Sequence, residues 1–133
     1  MFLRIIECNI FLMDLKYFDI SEFDSPDLQG TAILHMDGEF LLMLDQIRER
    51  FGRPIHINSG YRTAERNRMV GGKPDSAHLR GLAADLRCDN SRDRHDLLEA
   101  IFSVGIHRVG IAKSFIHIDN DKSKAERVVW LYS

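Results

Sequence analysis

Cysteine is scarce in this chain: two in 133 residues, Cys8 and Cys88, neither in a C-x-x-C pair. That is too few for a disulfide framework. Proline is scarce as well, with three residues against nine glycines, and there is no internal repeat or low-complexity tract. With 44% hydrophobic and 29% charged residues, a disordered or collagen-like chain is excluded. A basic excess is missing: 18 Lys+Arg stand against 20 Asp+Glu, a net charge of −2. That balance, with no basic stripe, argues against a nucleic-acid binder. A long apolar run is missing too. The most apolar stretch, MFLRIIECNIFLMDL, is interrupted by Arg4, Glu7 and Asn9. A membrane span needs about 20 mostly apolar residues. A secretory signal needs an unbroken apolar core and a small-residue cleavage site, and neither is visible. The stretch reads as a short strand or a loosely packed arm, with Met13 as an alternative start. The chain reads as unsecreted, cytoplasmic as synthesised.

What is present is the length of one domain, able to bury about two-thirds of its unfolded surface. Residues 1–16 read as an N-terminal extension and 17–133 as the domain. Residues 17–31 mix aromatics with turn formers and read as an irregular segment pinned by Phe18, Ile20 and Phe23. From Asp37 to Phe51 the apolar residues recur at spacings of three and four, so a helix is expected there, ended by Gly52. A short strand over Ile55–Asn58 follows, then a short polar helix over about 63–69. Leu82–Cys88 reads as an internal strand, apolar on both faces. Asn90 or Ser91 caps a second amphipathic helix, ended by Gly105. Arg108–Ile111, Phe115–Asp119 and Val128–Tyr132 are three more strand candidates. Helices early, strands late and short connections predict an α+β domain: a small, mostly antiparallel sheet with helices packed on it. Leu41, Leu44, Ile47 and Phe51 are expected to pack with Leu98, Ile101 and Phe102 against the sheet that contains Leu82–Cys88.

Two segments carry chemistry. In Ser76–Asp85, His78 sits in a loop and Asp85 on the apolar strand that follows Gly81. An isolated buried carboxylate is very costly, so Asp85 needs a cation. Arg87 shares its face by the period-2 rule, so the spacing alone leaves a metal and a salt bridge equally open. In Phe115-Ile116-His117-Ile118-Asp119, alternation puts Phe115, His117 and Asp119 on one face. Two His and one Asp make a three-ligand set with an open fourth position, the pattern of a catalytic zinc site. Cys88 has the opposite parity to Asp85 and reads as a buried apolar residue. His35, His56, His95 and His107 have weaker claims on function.

The ordered set SGYRT, N-x-x-V-G-G, S-x-H-x-x-G-x-A-x-D, F-I-H-I-D and a closing W-L-Y resembles the zinc D-Ala-D-Ala carboxypeptidase family of peptidases. The resemblance covers about residues 17–132. It is closest to the compact type of phage endolysins and small peptidoglycan peptidases, whose fold hedgehog signalling domains share. It implies Zn²⁺ held by His78, Asp85 and His117, with Arg62 of SGYR contacting substrate and stabilising the transition state. Tyr61 and Ser76 join Arg62 as candidate substrate-binding residues; each has an alternative, packing for Tyr61 and a turn cap for Ser76. The implied substrate is a peptidoglycan stem peptide, met at the cell wall by a chain read as a monomer, with phage-type release as one route to it. One departure stands out. Several branches of the family place an acid shortly before the last ligand, as general base; here Gly110–Ser114 contains none. Asp119 is the nearest acid on the His117 face and becomes the base candidate, or else orients a ligand. The alternative to a working peptidase is a module of the same fold that keeps zinc, binds cell-wall peptide and has lost turnover.

Overall fold

Two amphipathic helices supply one half of the core. The computed structural model describes residues 14–133, and the readings made above for residues 1–12 and Met13 lie outside them. Helix α2 (Gly38–Phe51) starts where the Asp37 carboxylate accepts from Phe40 N at 2.9 Å, and it ends at Gly52 in the left-handed conformation. Helix α4 (Ser91–Ser103) is capped in the same way by Asn90, which accepts from Asp93 N at 2.8 Å. Leu41, Leu44 and Ile47 from α2 and Leu97 and Ile101 from α4 are buried in one continuous core. Helix α3 (Ala64–Met69) is a single polar turn and a half, capped by Thr63. A further short helix, α1 (Thr31–His35), begins at the last residue of the segment that reads as irregular, over residues the sequence pattern assigns to no element. None of the described helices is long and apolar enough to cross a membrane.

The other half of the core is one face of a five-stranded sheet. Its strands are β1 (Ile57–Ser59), β2 (Ala83–Arg87), β3 (Arg108–Ile111), β4 (Phe115–Asp119) and β5 (Val128–Leu131), in the order β1-β2-β4-β3-β5. All pairs are antiparallel except β3 with β5, which run parallel. Ala84, Leu86, Val109, Ile116 and Ile118 are fully buried in the same core as the helices. Period-2 alternation therefore leaves Ala83, Asp85, His117, Asp119, Arg108 and Gly110 on the opposite face.

The expected α+β architecture is the observed one. Three expected core residues are not core. Phe102 is 41% exposed, and Phe51 and Leu98 are half-buried against the cluster. The Leu97/Ile101 stripe of α4 faces inward, and one residue further round the helix already reaches the rim. Cys88 is buried in the core, as its parity indicated. Arg87 is exposed and pairs with Asp89, so it is not the partner of Asp85.

Candidate metal centre and cleft

Strand register builds the site. Ser59, Asp85, His117, Gly110 and Trp130 lie side by side, one residue from each strand across the whole sheet. The next row on the same face carries Ala83, Asp119, Arg108 and Val128. Gly110 is the gap in the first row. A Cβ there would sit 2.5 Å from Trp130 Nε1, so the missing side chain lets the indole lean toward His117, whose ring centroid is 5.5 Å away.

His78 arrives from outside the sheet, on a 3-10 turn spanning Ala77–Arg80. Ser76 opens that turn: its hydroxyl accepts from His78 N at 3.2 Å. Gly81 closes it at φ 71°, and a Cβ there would lie 1.9 Å from His35 O, so the turn tolerates no side chain at that point. The Ser59–Thr63 loop clamps the turn from two sides. Gly60 O accepts from His78 Nδ1 at 2.7 Å, and Arg62 N donates to His78 O at 3.1 Å.

These constraints decide the ring chemistry. A carbonyl only accepts, so His78 donates from Nδ1 and leaves Nε2 facing Asp85 Oδ1 at 3.4 Å. The other side of the same oxygen faces His117 Nδ1 at 2.9 Å. His117 Nε2 meets Asp119 Oδ2 at 2.8 Å. One donor atom from each of His78, Asp85 and His117 lies within 4.8 Å of the others, and all three residues are buried. Two ring nitrogens and one carboxylate oxygen converge, and an oxygen acceptor holds the far nitrogen of each ring. This donor set fits a divalent ion of the zinc type.

Charge follows the geometry. Burial pushes the Asp85 carboxyl up, but the His117 and His78 rings outweigh it and hold it below the usual carboxylate range. Burial pulls His117 down, and Asp119 with Asp85 more than reverses that, so the ring titrates above an ordinary histidine. Asp119 is also pushed up by burial, yet His117 and Arg108 keep it below the usual range.

Arg62 reaches the same carboxylate. Its Nη2 lies 3.5 Å from Asp85 Oδ2, while Nη1 donates to Asn67 Oδ1 at 3.1 Å and Nε to Ser59 Oγ at 3.3 Å. Asn67, 3% exposed, also donates to Lys73 O at 2.9 Å, tying the arginine to the Val70–Ser76 loop. Arg62, His78, Asp85 and His117 line a cleft of about 790 Å³ with Lys73, Asp75, Phe115, Lys124, Trp130 and Tyr132 on its walls.

The structure thus gathers Arg62, Ser76, His78, Asp85, His117 and Asp119 at one cleft. It does not bring Tyr61 there. Gly60 and Arg62 turn toward His78, so the residue between them turns away: Tyr61 N bonds Phe23 O, and its ring stacks on His35 at 4.5 Å. Arg108 and Asn67 support the site without being among the residues the sequence points to. The β3–β4 hairpin register places Arg108 opposite Asp119, and that signal was available in the sequence; the partner of Asn67 was not.

Residues 16–119 match the family model of peptidase M15, most of the chain, and the chain belongs to that family of metallopeptidases. None of the curated proteins compared matches it.

Proposed function

From that membership as premise, we propose that this chain is a zinc metallopeptidase that hydrolyses peptide bonds in peptidoglycan stem peptides, of the D-Ala-D-Ala carboxypeptidase or endopeptidase type. The observation that carries the reading is the buried convergence of His78, Asp85 and His117 on the floor of an open cleft. His78 through Nε2, Asp85 through its carboxylate and His117 through Nδ1 would hold the ion. When bound, zinc supplies Lewis-acid polarisation of the scissile carbonyl and lowers the pKa of a water to about 7.

The remaining chemistry belongs to the chain. Arg62 is held on three sides with its guanidinium facing the cleft, suited to neutralise the oxyanion that develops during attack or to bind a substrate carboxylate. Phe115, Trp130 and Tyr132 offer apolar wall to substrate side chains. Asp119 serves best as a positioning residue. One of its oxygens is engaged by His117 and the other by Arg108 Nε and Asp121 N, and the residue is 2% exposed. Ser76 acts through the His78 turn it caps.

The test is release of product from synthetic stem peptides by the zinc-loaded protein. Cleavage that a chelator abolishes and zinc restores, and that His78→Ala removes, supports the enzyme. One observation favours the second reading, a binding module without turnover: Gly110–Ser114 offers no acid and the Asp119 oxygens are engaged. Peptide binding without release would establish that module, and neither binding nor release would refute both readings.

A further inference from the structure

Arg108 is the least expected member of the cleft. It stands directly opposite Asp119 on the β3–β4 ladder, with its side chain 14% exposed. Its Nε donates to Asp119 Oδ1 at 2.7 Å, and its Nη1 donates to Ala125 O in the segment between β4 and β5. Its guanidinium carbon lies 5.1 Å from the Trp130 ring centroid. The contacts then run on without a break: Asp119 Oδ2 to His117 Nε2 at 2.8 Å, and His117 Nδ1 to Asp85 Oδ1 at 2.9 Å. Every link in that chain is charge-assisted, the strong class of hydrogen bond.

A carboxylate that contacts a ring through one oxygen can still pivot about its side-chain torsions. Holding the second oxygen removes that freedom; Arg108 Nε supplies the shorter bond to it and Asp121 N a longer one at 3.2 Å. Arginine suits the task because its donors diverge: one branch takes Asp119 and another takes the Ala125 carbonyl, while its flat face stacks near an indole. A lysine has one donor head and cannot serve all three. We infer that Arg108 is a positioning residue of the metal centre. It fixes the Asp119 carboxylate, which fixes the His117 ring with Nδ1 turned toward Asp85 and His78. It thereby couples the Trp130 wall of the cleft to the ligand geometry. The inference rests on the zinc reading above, and it goes beyond that reading by assigning a role to a residue that touches no ligand donor.

The experiment is a double-mutant cycle read in zinc affinity, without peptide substrate. Zinc dissociation constants are measured by competition with a chromophoric chelator for the wild type, Arg108→Ala, Asp119→Asn and the double variant. Folding of each is checked by far-UV circular dichroism. Loss of a partner that orients a metal ligand typically weakens affinity by about 10–100-fold. Arg108→Ala is expected near the lower end, about 10-fold, and Arg108→Lys is expected to recover part of it. With Asp119→Asn already present, Arg108→Ala should change affinity by less than about twofold, because its route to the metal is gone. Equal losses in both backgrounds, or wild-type affinity in a folded Arg108→Ala, would overturn the inference. If Arg108→Ala does not fold, the same cycle is run with Arg108→Lys and judged by the same criteria. A wild-type protein that binds no zinc would sink the zinc reading and this inference together. Zinc bound tightly by the wild type and equally by Arg108→Ala would sink this inference alone.

Discussion

Gly110→Ala tests whether the cleft wall is built as described. The glycine is in strand β3 and is not among the positive-φ residues, so alanine's backbone preferences are met there. What the new methyl meets is side chain: Trp130 Nε1 at 2.5 Å, Trp130 Cε2 at 2.6 Å and Tyr132 Cε2 at 2.7 Å. Ordinary van der Waals contact begins near 3.4 Å, so both rings must retreat by roughly 1 Å. Overpacking of this kind costs about 1–3 kcal/mol. Replacing a glycine also restricts the unfolded chain, which offsets about 0.4–1 kcal/mol. The net loss is then about 1–2 kcal/mol. At about 3–5 °C per kcal/mol for a domain of this size, Tm should fall by about 3–10 °C. Trp130 is the chain's one tryptophan, so its emission reports on this wall and on nothing else. The emission should shift to the red as the indole lifts from His117. The ligands themselves are untouched, so zinc should still stabilise the variant. Wild-type Tm together with wild-type emission would show that the methyl fits, and the account of the wall would be wrong.

Much of this site is legible in the sequence. The spacing of His78 and Asp85 around Gly81 separates a turn from a strand, and the turn and strand are where those residues stand. Alternation in Phe115–Asp119 put His117 and Asp119 on one face, and they share it. The apolar stripes of α2 and α4 were legible because helices of 14 and 13 residues repeat their pattern several times. Helix α1 has five residues, about one turn, and a periodicity cannot be read from one turn.

What stayed hidden is long-range. Parity correctly placed Arg87 on the Asp85 face, but the strand ends there and its side chain turns to solvent. The cation beside Asp85 comes instead from Arg62, on a loop whose path depends on Gly60 and Arg62 both bonding the His78 turn. The same bonds send Tyr61 the other way, which no local pattern announces. The parallel pairing of β3 with β5 is of this kind too. It brings Trp130 beside Gly110 across a connection held by the Arg108 bond to Ala125 O and by Asp121, which pairs with Arg80 and Lys124, and not by a turn signature.

Zinc at about 100 times its dissociation constant should stabilise the protein by about 2.7 kcal/mol, seen as a rise in Tm that a chelator reverses; Asp85→Asn should abolish the response, and a response that survives would move the metal elsewhere. Ile101→Ala should cost about 2–5 kcal/mol in urea unfolding, since Ile101 is fully buried, whereas Phe102→Ala should cost less than about 1 kcal/mol. Asp121 is pushed up by burial, but Ser123, Lys124 and Arg80 outweigh that and hold its carboxyl at about 2, below its ordinary 3.8. A depressed carboxyl stabilises the fold above the unfolded value and loses that contribution as pH falls through the folded one, so the stability gap between wild type and Asp121→Asn should shrink between about pH 4 and pH 2. The last expectation concerns substrate charge. Arg62, Lys73, Arg108 and Lys124 line the cleft against Asp75, Asp85 and Asp119, and a bound divalent ion adds two positive charges. The cleft is therefore cationic although the whole chain carries −2, and it should attract a peptide with a free carboxylate. Amidating that carboxylate should raise KM by about 3–10-fold with kcat little changed, the mark of an interaction made equally in ground and transition states. Added salt should narrow the gap between the two peptides, because the cleft is open to solvent and Lys73 on its wall is exposed. Equal kcat/KM for the free and amidated peptides at low salt would mean that these cations serve the fold and not the substrate.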